Sequence, residues 1–225
     1  FGGGLGFSYP VYDFVRAGIK YNYDDADITN ITENAATSIK DLEGTNITSS
    51  VTTSIIYDSR NRRFNPSEGS KHIASLKYAG LGGNVAFTKV LAETGWYKPL
   101  FMDTIGFLHG KAGYVTENSG GILPDYERFY LGGINSVRGY DWREIYVLDE
   151  DGNIIGGNKF VLFNAECIIP LLKKQGLVGV LFYDAGNVFN NDESIDLGTL
   201  RNSVGFGFRW YSPMGPIRLE YGYKL

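Results

Sequence analysis

A chain of 225 residues is long enough for one all-β domain with a developed interior, and 30 glycines beside 15% aromatic residues favour strands and tight turns over helices. Twenty-one basic against 25 acidic side chains, a formal charge of −4, leave no basic footprint for nucleic acid, and the single cysteine, Cys167, excludes an internal disulfide. No run approaches the ~18 consecutive apolar residues of a membrane-spanning helix, whereas a membrane barrel needs only strands of about 10 alternating residues and stays open. The chain begins at Phe1 without a charged leader or an apolar signal-like stretch, so it reads as a mature or excised segment.

In chain order, the patterning predicts strands over 4–9, 14–24, 47–58, 71–81, 84–98, 104–117, 160–169, 176–189, 201–212 and 217–225. Short, often proline-bearing turns are predicted at 10–13, 99–103, 170–175 and 212–215, all on one rim. Long polar connections are predicted at 26–46, 118–159 and 190–200 on the other rim, beside a tight turn at 81–84. The segment 59–70 is longer than its companions on the short side. Bacterial membrane barrels have this asymmetry of short and long connections.

The face pattern is clearest towards the C-terminus. Val204, Phe206, Phe208 and Trp210 share one face, and Arg201, Ser203, Gly205, Gly207 and Arg209 share the other. Ile217, Leu219, Tyr221, Tyr223 and Leu225 likewise oppose Arg218, Glu220, Gly222 and Lys224. Val161, Phe163, Ala165, Cys167 and Ile169 lie together and leave Asn164 and Glu166 opposite, which puts Cys167 on the apolar, lipid-directed side. Alternation by itself leaves a soluble sandwich open as well as a membrane barrel. The length of the strands and the crowding of aromatics on one face favour the barrel.

Three segments carry a resemblance. Phe129-Tyr-Leu-Gly-Gly-Ile-Asn-Ser-Val-Arg-Gly-Tyr140 is similar to an F-x-x-G-G-x-x-x-V-R-G signature closed by F or Y. Phe182-Tyr-Asp-Ala-Gly-Asn-Val-Phe189 resembles an aromatic-x-D-x-G-x-V strand, and Ser212-Pro-Met-Gly-Pro216 followed by Ile217-Arg-Leu-Glu-Tyr-Gly222 completes the set. Tyr57-Asp-Ser-Arg60, with Phe64-Asn-Pro66 and Gly69, more loosely resembles a T-R-D-x-R turn. Together they resemble the BamA family of outer-membrane assembly factors over roughly residues 47–225. The resemblance implies an all-β fold: an antiparallel transmembrane β-barrel fragment, about ten strands of a sixteen-stranded barrel. It also implies that the single segment 1–225 stands without the family's soluble periplasmic domains and without its final strand, and that the long outer loop 118–159 folds back into the lumen.

The polar faces suggest a site. Glu166 and Asp184 stand on strands joined by a short turn, so two acids converge inward. Two carboxylates confined together are unfavourable unless a planar guanidinium bridges them, and Arg138 can supply that fork. The resemblance points to the same contact, with Val137, Arg138, Gly139 and Tyr140 forming the tip of the loop, Tyr140 adding a stacking surface, and Glu166 and Asp184 forming its receptor on the wall. Gly132, Gly133 and Gly139 suit a loop with unusual dihedrals and close approach to the wall. Losing one partner of such a contact costs about 3–5 kcal/mol if it is dry and much less in a wet lumen.

Other patterns are weaker. Asp149-Glu-Asp151-Gly-Asn153 resembles the start of a calcium loop but lacks its terminal glutamate, and reads as a solvated turn. Asp24, Asp25 and Asp27 read as an exposed rim cluster. His72 and His109 lack companions at ligand spacing, with His109 expected inside, so no metal or cofactor is assigned. Asn30-Ile-Thr32 and Asn46-Ile-Thr48 match a glycosylation pattern and read as ordinary loop chemistry. No nucleophile arrangement is visible, so an enzyme is not expected.

The functional expectation is an assembly factor of the bacterial outer membrane that folds and inserts nascent outer-membrane proteins through an openable barrel seam. Outer-membrane lipids and accessory assembly lipoproteins would be its other partners, and nucleic acid would not. The alternatives are a polypeptide-translocating pore of the same superfamily, serving two-partner secretion or autotransporter assembly, and a passive porin.

Overall fold

The computed structural model describes residues 1–31, 40, 42–212 and 214–225. Ten long strands form one antiparallel sheet: β1 (Gly2–Tyr12), β2 (Val15–Ile28), β3 (Gly44–Asp58), β4 (Gly69–Ala79), β5 (Phe87–Pro99) and β6 (Ile105–Glu117) come first. Within the connection after β6, β7 (Val147–Leu148) and β8 (Ile154–Ile155) make a separate small ribbon. The sheet resumes with β9 (Lys159–Leu172), β10 (Leu177–Phe189), β11 (Arg201–Ser212) and β12 (Gly215–Lys224). Each strand pairs with its neighbour in sequence, and β6 pairs with β9 across the loop. Strands of 10 to 15 residues far exceed the usual five or six and reach the length that a tilted crossing of a bilayer requires.

Several strand ends lie further out than the sequence pattern predicts. β1 runs through Pro10 to Tyr12 and leaves a turn of only Asp13 and Phe14, with the register against β2 shifting between Pro10 and Tyr12, the kind of irregularity at which a strand accommodates a proline. β9 likewise continues past Pro170 to Leu172, with the register slipping there so that Leu171 bulges out of the ladder. β5 begins at Phe87 rather than at position 84, where Asn84 instead accepts from the Ile47 amide through its side chain. The acidic residues Asp24, Asp25 and Asp27 belong to β2 and not to a loop. The long connection expected after them falls partly outside the described residues, as do Thr32 of the first acceptor pattern and Pro213 of the last turn. Asn46 is buried in β3 and donates to the Leu42 carbonyl at 2.6 Å, so the second acceptor pattern is not a surface loop.

The two faces of the sheet differ in kind. One is bare and apolar, with Leu5, Phe7 and Tyr9 of β1, Leu181 of β10, Phe206, Phe208 and Trp210 of β11, and Leu219, Tyr221 and Tyr223 of β12 all exposed. The other is covered by the 118–158 loop from β4 to β12. An unbroken polar face there would leave the loop nothing apolar to bury, and the structure departs from that simple alternation. Phe160, Leu162 and Ile168 share the covered face with Asn164 and Glu166. Phe87, Val115, Phe160, Leu162 and Val188 of the wall enclose Leu123, Phe129, Leu131, Val137 and Ile145 of the loop in one core. That core holds the loop down by apolar burial. The charged groups sit beside it.

Candidate functional site: a loop arginine on the wall

The tip of the loop is a compact turn held by its own backbone. The Gly133 amide donates to the Tyr140 carbonyl at 2.8 Å, the Gly132 amide donates to the Ser136 hydroxyl at 2.6 Å, and Leu131 and Ile145 exchange a backbone pair. Gly132, Gly133 and Gly139 hold φ of +106°, +91° and +91°, conformations in which a side chain is strained. Gly139 has a second reason to be glycine. It lies against Gly222 of β12, and a carbon added to Gly222 would stand 2.6 Å from the Gly139 nitrogen, so the two glycines let loop and wall touch backbone to backbone.

This contact sets Arg138 against the covered face. Its Nε and one terminal nitrogen donate to the two oxygens of Asp184 at 2.7 and 2.5 Å, a bidentate fork, and its backbone amide adds a third bond at 3.0 Å. The other terminal nitrogen donates to Glu166 at 2.6 Å and to Glu220 at 2.9 Å. The guanidinium carbon lies 3.6 Å from the centre of the Phe182 ring, so the plane is stacked as well as bonded. Burial opposes the charge on Arg138, but the surrounding carboxylates outweigh it and raise its pKa further above the ordinary arginine value. Val137 is fully buried in the core beside it, and Tyr140 packs on the core edge with the Lys224 ammonium 4.7 Å from its ring centre.

The structure thus brings Arg138, Glu166 and Asp184 together, but the cluster is larger than one fork and two acids. Arg209 donates twice to Glu166, at 2.8 and 2.7 Å, and to Glu220 at 2.6 Å, while Arg218 donates to Glu220 and also to the loop at Asn135 and Ile134. Asn164 spans the junction, giving one hydrogen to Asp184 and the other to the Ser136 carbonyl. Three guanidiniums face three carboxylates, so the group is neutral within itself. The sequence carries a signal for the added members: alternation places Arg209, Arg218 and Glu220 on the polar face. In the ladder Arg209 and Arg218 are direct partners. Like charges directly opposed repel, so this register calls for the carboxylate that Glu220 supplies.

A polar cavity of about 280 Å³ adjoins the cluster, lined in part by Glu93, His109, Asn135, Glu166, Arg138 and Arg209. It has room for several waters. Asp184 is fully buried and does not line it, so Arg138 has a dry side at Asp184 and a wettable side at Glu166. His109 faces this cavity and hydrogen-bonds Asn164 at 2.8 Å. His72 lies on the bare face between Tyr57 and Trp96, bonded to Thr94 and Ser70. Cys167 is a free, half-buried thiol. Asp149 accepts from the amides of Asp151 and Asn153 and so closes its own turn.

Comparison with known proteins agrees with this architecture. A family model described as the Omp85 superfamily domain matches residues 1–225. The chain is 36% identical, over an alignment of 227 residues, to the outer membrane protein assembly factor BamA of Nitratidesulfovibrio vulgaris, an alignment that covers 97% of this chain and 28% of the relative. It is 31% identical to the protein of the same name from Neorickettsia risticii, covering all of this chain and 31% of that one. The chain therefore spans about three-tenths of the length of these curated relatives. Its fold superimposes on the crystal structure of BamA from Haemophilus ducreyi lacking POTRA domains 1–3, with a TM-score of 0.77, 23% identity, and coverage of all of this chain and 50% of that one. A long-stranded antiparallel wall, bare and apolar outside, with a V-R-G-Y loop seated on its inner face, is thus matched along its whole length by one family model, and the chain belongs to the Omp85 superfamily.

Proposed function

We propose that this chain is barrel wall from an outer-membrane protein assembly factor, and that its loop-borne Arg138 is a structural lock rather than a catalytic group. The outer membrane is its setting, and the bare aromatic face is the surface that meets lipid. The proposed substrates are nascent outer-membrane proteins, and accessory lipoproteins are proposed as partners of the complete protein. Two relatives bearing the assembly-factor name at 36% and 31% identity support the activity. Insertion in this reading works by strand pairing. In lipid an unpaired strand edge has no water to satisfy its backbone groups, so an incoming strand is strongly favoured to pair with it. A seam can open usefully only if the rest of the wall keeps its shape. We assign that task to the segment that loop 118–159 braces from the lumen.

The observation that carries the lock is the Arg138 fork on fully buried Asp184, extended to Glu166 and Glu220. A guanidinium offers a planar array of donors that an ammonium cannot reproduce, so Arg138→Lys should fail nearly as badly as Arg138→Ala. Both variants, introduced into the complete protein in cells depleted of their own copy, are expected to lower the level of a reporter outer-membrane protein and the heat resistance of the barrel. If Arg138→Ala left both unchanged, the lock would be untenable.

A further inference from the structure

The loop meets the wall a second time, by different chemistry and on different strands. On the covered face Lys77 of β4 and Lys89 of β5 are direct register partners. Two ammonium groups opposed across a ladder repel, and these two side chains are only 23% and 16% exposed, so water screens them poorly. A single loop carboxylate answers both. Glu127 accepts from Lys77 at 2.6 Å through one oxygen and from Lys89 at 3.1 Å through the other, and its backbone carbonyl accepts from Lys89 again at 2.7 Å. The ammonium of Lys89 also sits 4.8 Å from the ring centre of the loop residue Phe129.

Glu127 is itself held in place from the loop side. It ends a short 3₁₀ turn, Asp125–Glu127, whose first residue accepts from the Tyr130 hydroxyl at 2.6 Å, from the Gly156 amide at 2.9 Å and from Arg143 at 3.3 Å. The arrangement therefore differs from the arginine cluster in two ways. It grips the base of the loop and not the tip, and it is built on β4 and β5 and not on β9 to β12. Its charges are also unbalanced, two ammoniums to one carboxylate, so no neighbouring acid within the triad replaces Glu127 if it is lost.

We infer that Glu127 is a positioning residue that clamps the base of loop 118–159 to β4 and β5 independently of Arg138, so that the loop is a strut between two separate parts of the wall. The inference rests on the proposed reading of this loop as a brace inside the barrel. The register supplies its logic, because a cross-strand lysine pair is tolerable on a covered face only if something between the strands and the loop neutralises it. The tip cannot do so, since each of Glu166, Asp184 and Glu220 is already paired with one or more arginines of its own cluster.

The test uses the complete protein in isolated outer membranes, reading the rate of protease nicking within 118–159 together with the heat resistance of the barrel. Glu127→Gln is expected to raise nicking about tenfold by freeing the base of the loop. Glu127→Lys should be worse, and Lys89→Glu combined with Glu127→Lys should recover most of that loss, because a carboxylate again lies between two ammoniums. Glu127→Gln and Arg138→Ala should multiply in their effects on nicking if the anchors are independent. Unchanged nicking in Glu127→Gln, no recovery in the exchanged pair, or a double variant no faster than the faster single one would overturn the inference. If Glu127→Gln does not insert at all, the triple variant Lys77→Met, Lys89→Met and Glu127→Met, which removes the repulsion along with the carboxylate, should restore insertion, and its failure would also overturn it. A silent Arg138→Ala beside an active Glu127→Gln would instead sink the tip lock and leave the clamp standing.

Discussion

β1 and β10 are written in the same alternating period and live in opposite surroundings. Every residue of β1 is exposed, whereas only Leu181 and Tyr183 of β10 are. The strands are of similar length and lie in one sheet, so strand geometry is not the cause. Part of the difference is that β10 is flanked by β9 and β11 while β1 has only β2 beside it, and the rest comes from what covers the inner face. Opposite its apolar row β10 places Val178, Val180, Phe182, Asp184, Gly186 and Val188, most of them apolar, and the loop and its neighbours bury them. Opposite its own apolar row β1 places Gly4, Gly6 and Ser8, small residues that neither need nor receive a cover. Inner-face composition in this wall therefore reports where the loop lies, while the outer row exposes large apolar side chains in both strands, Leu5, Phe7 and Tyr9 in one and Leu181 and Tyr183 in the other.

The sharpest way to break that contrast is to remove the one charge that β10 buries completely. In Asp184→Ala the Arg138 fork loses both of its oxygens and its backbone amide loses a third bond, on the fully buried side of the cluster that does not line the polar cavity. The expected cost is about 3–5 kcal/mol, from denaturant unfolding in detergent or lipid. Glu166→Ala should cost less, because Glu166 lines the cavity and water can take its place beside Arg138 and Arg209. Equal losses at the two positions would mean that the dry and wet sides do not differ.

Packing gives the next largest contrast. A carbon added to Gly186 of β10 would stand 3.0 Å from Leu131 and 3.1 Å from Val137, both buried loop residues with little freedom to move. Gly186→Val should overfill this contact at a cost of about 1–3 kcal/mol and loosen the loop. On β1 the nearest neighbours of such a carbon at Gly6 are the Lys20 side chain at 3.3 and 3.5 Å, and this chain is exposed and can swing aside. Gly6→Val is expected to stay within about 0.5 kcal/mol of the parent in the same unfolding measurement.

These contrasts also show what the sequence could and could not disclose. The period-two pattern fixes which residues share a face, so the ten strands, the bare aromatic surface and the convergence of Glu166 with Asp184 were all legible. Strand ends were less so. Prolines read as stops at positions 10 and 170, but a local shift of register in each strand accommodates one. The arginine cluster was half legible, because Arg209, Arg218 and Glu220 lay on the polar face in plain view, while their register with one another belongs to the folded ladder. Least legible was the apolar core under the loop. Phe160 and Leu162 sit where alternation leads one to expect polar groups, and only a covering loop that itself carries Phe129, Leu131 and Val137 explains them.

The smallest expected effect lies where loop and wall meet in water. Glu144 of the loop pairs with Lys224 of β12 and accepts from the Asp141 amide at 2.6 Å, at a site where both side chains are about two-fifths exposed. The Lys224 ammonium, and after it the Asp141 amide, hold the Glu144 carboxyl below its ordinary value of 4.5. A depressed carboxyl favours the folded state at a pH above that ordinary value, and the contribution fades as acid carries the solution down through the lower folded-state value. Exposure limits the pair to about 0.2–1 kcal/mol, several-fold below the expected cost at Asp184. Glu144→Gln should therefore lower stability slightly at neutral pH and remove this part of the acid sensitivity, both read from unfolding midpoints across an acid series. A loss at Glu144 as large as that at Asp184 would mean that water reaches the rim of this loop no better than its tip, and the contrast between covered and open wall would have to be redrawn.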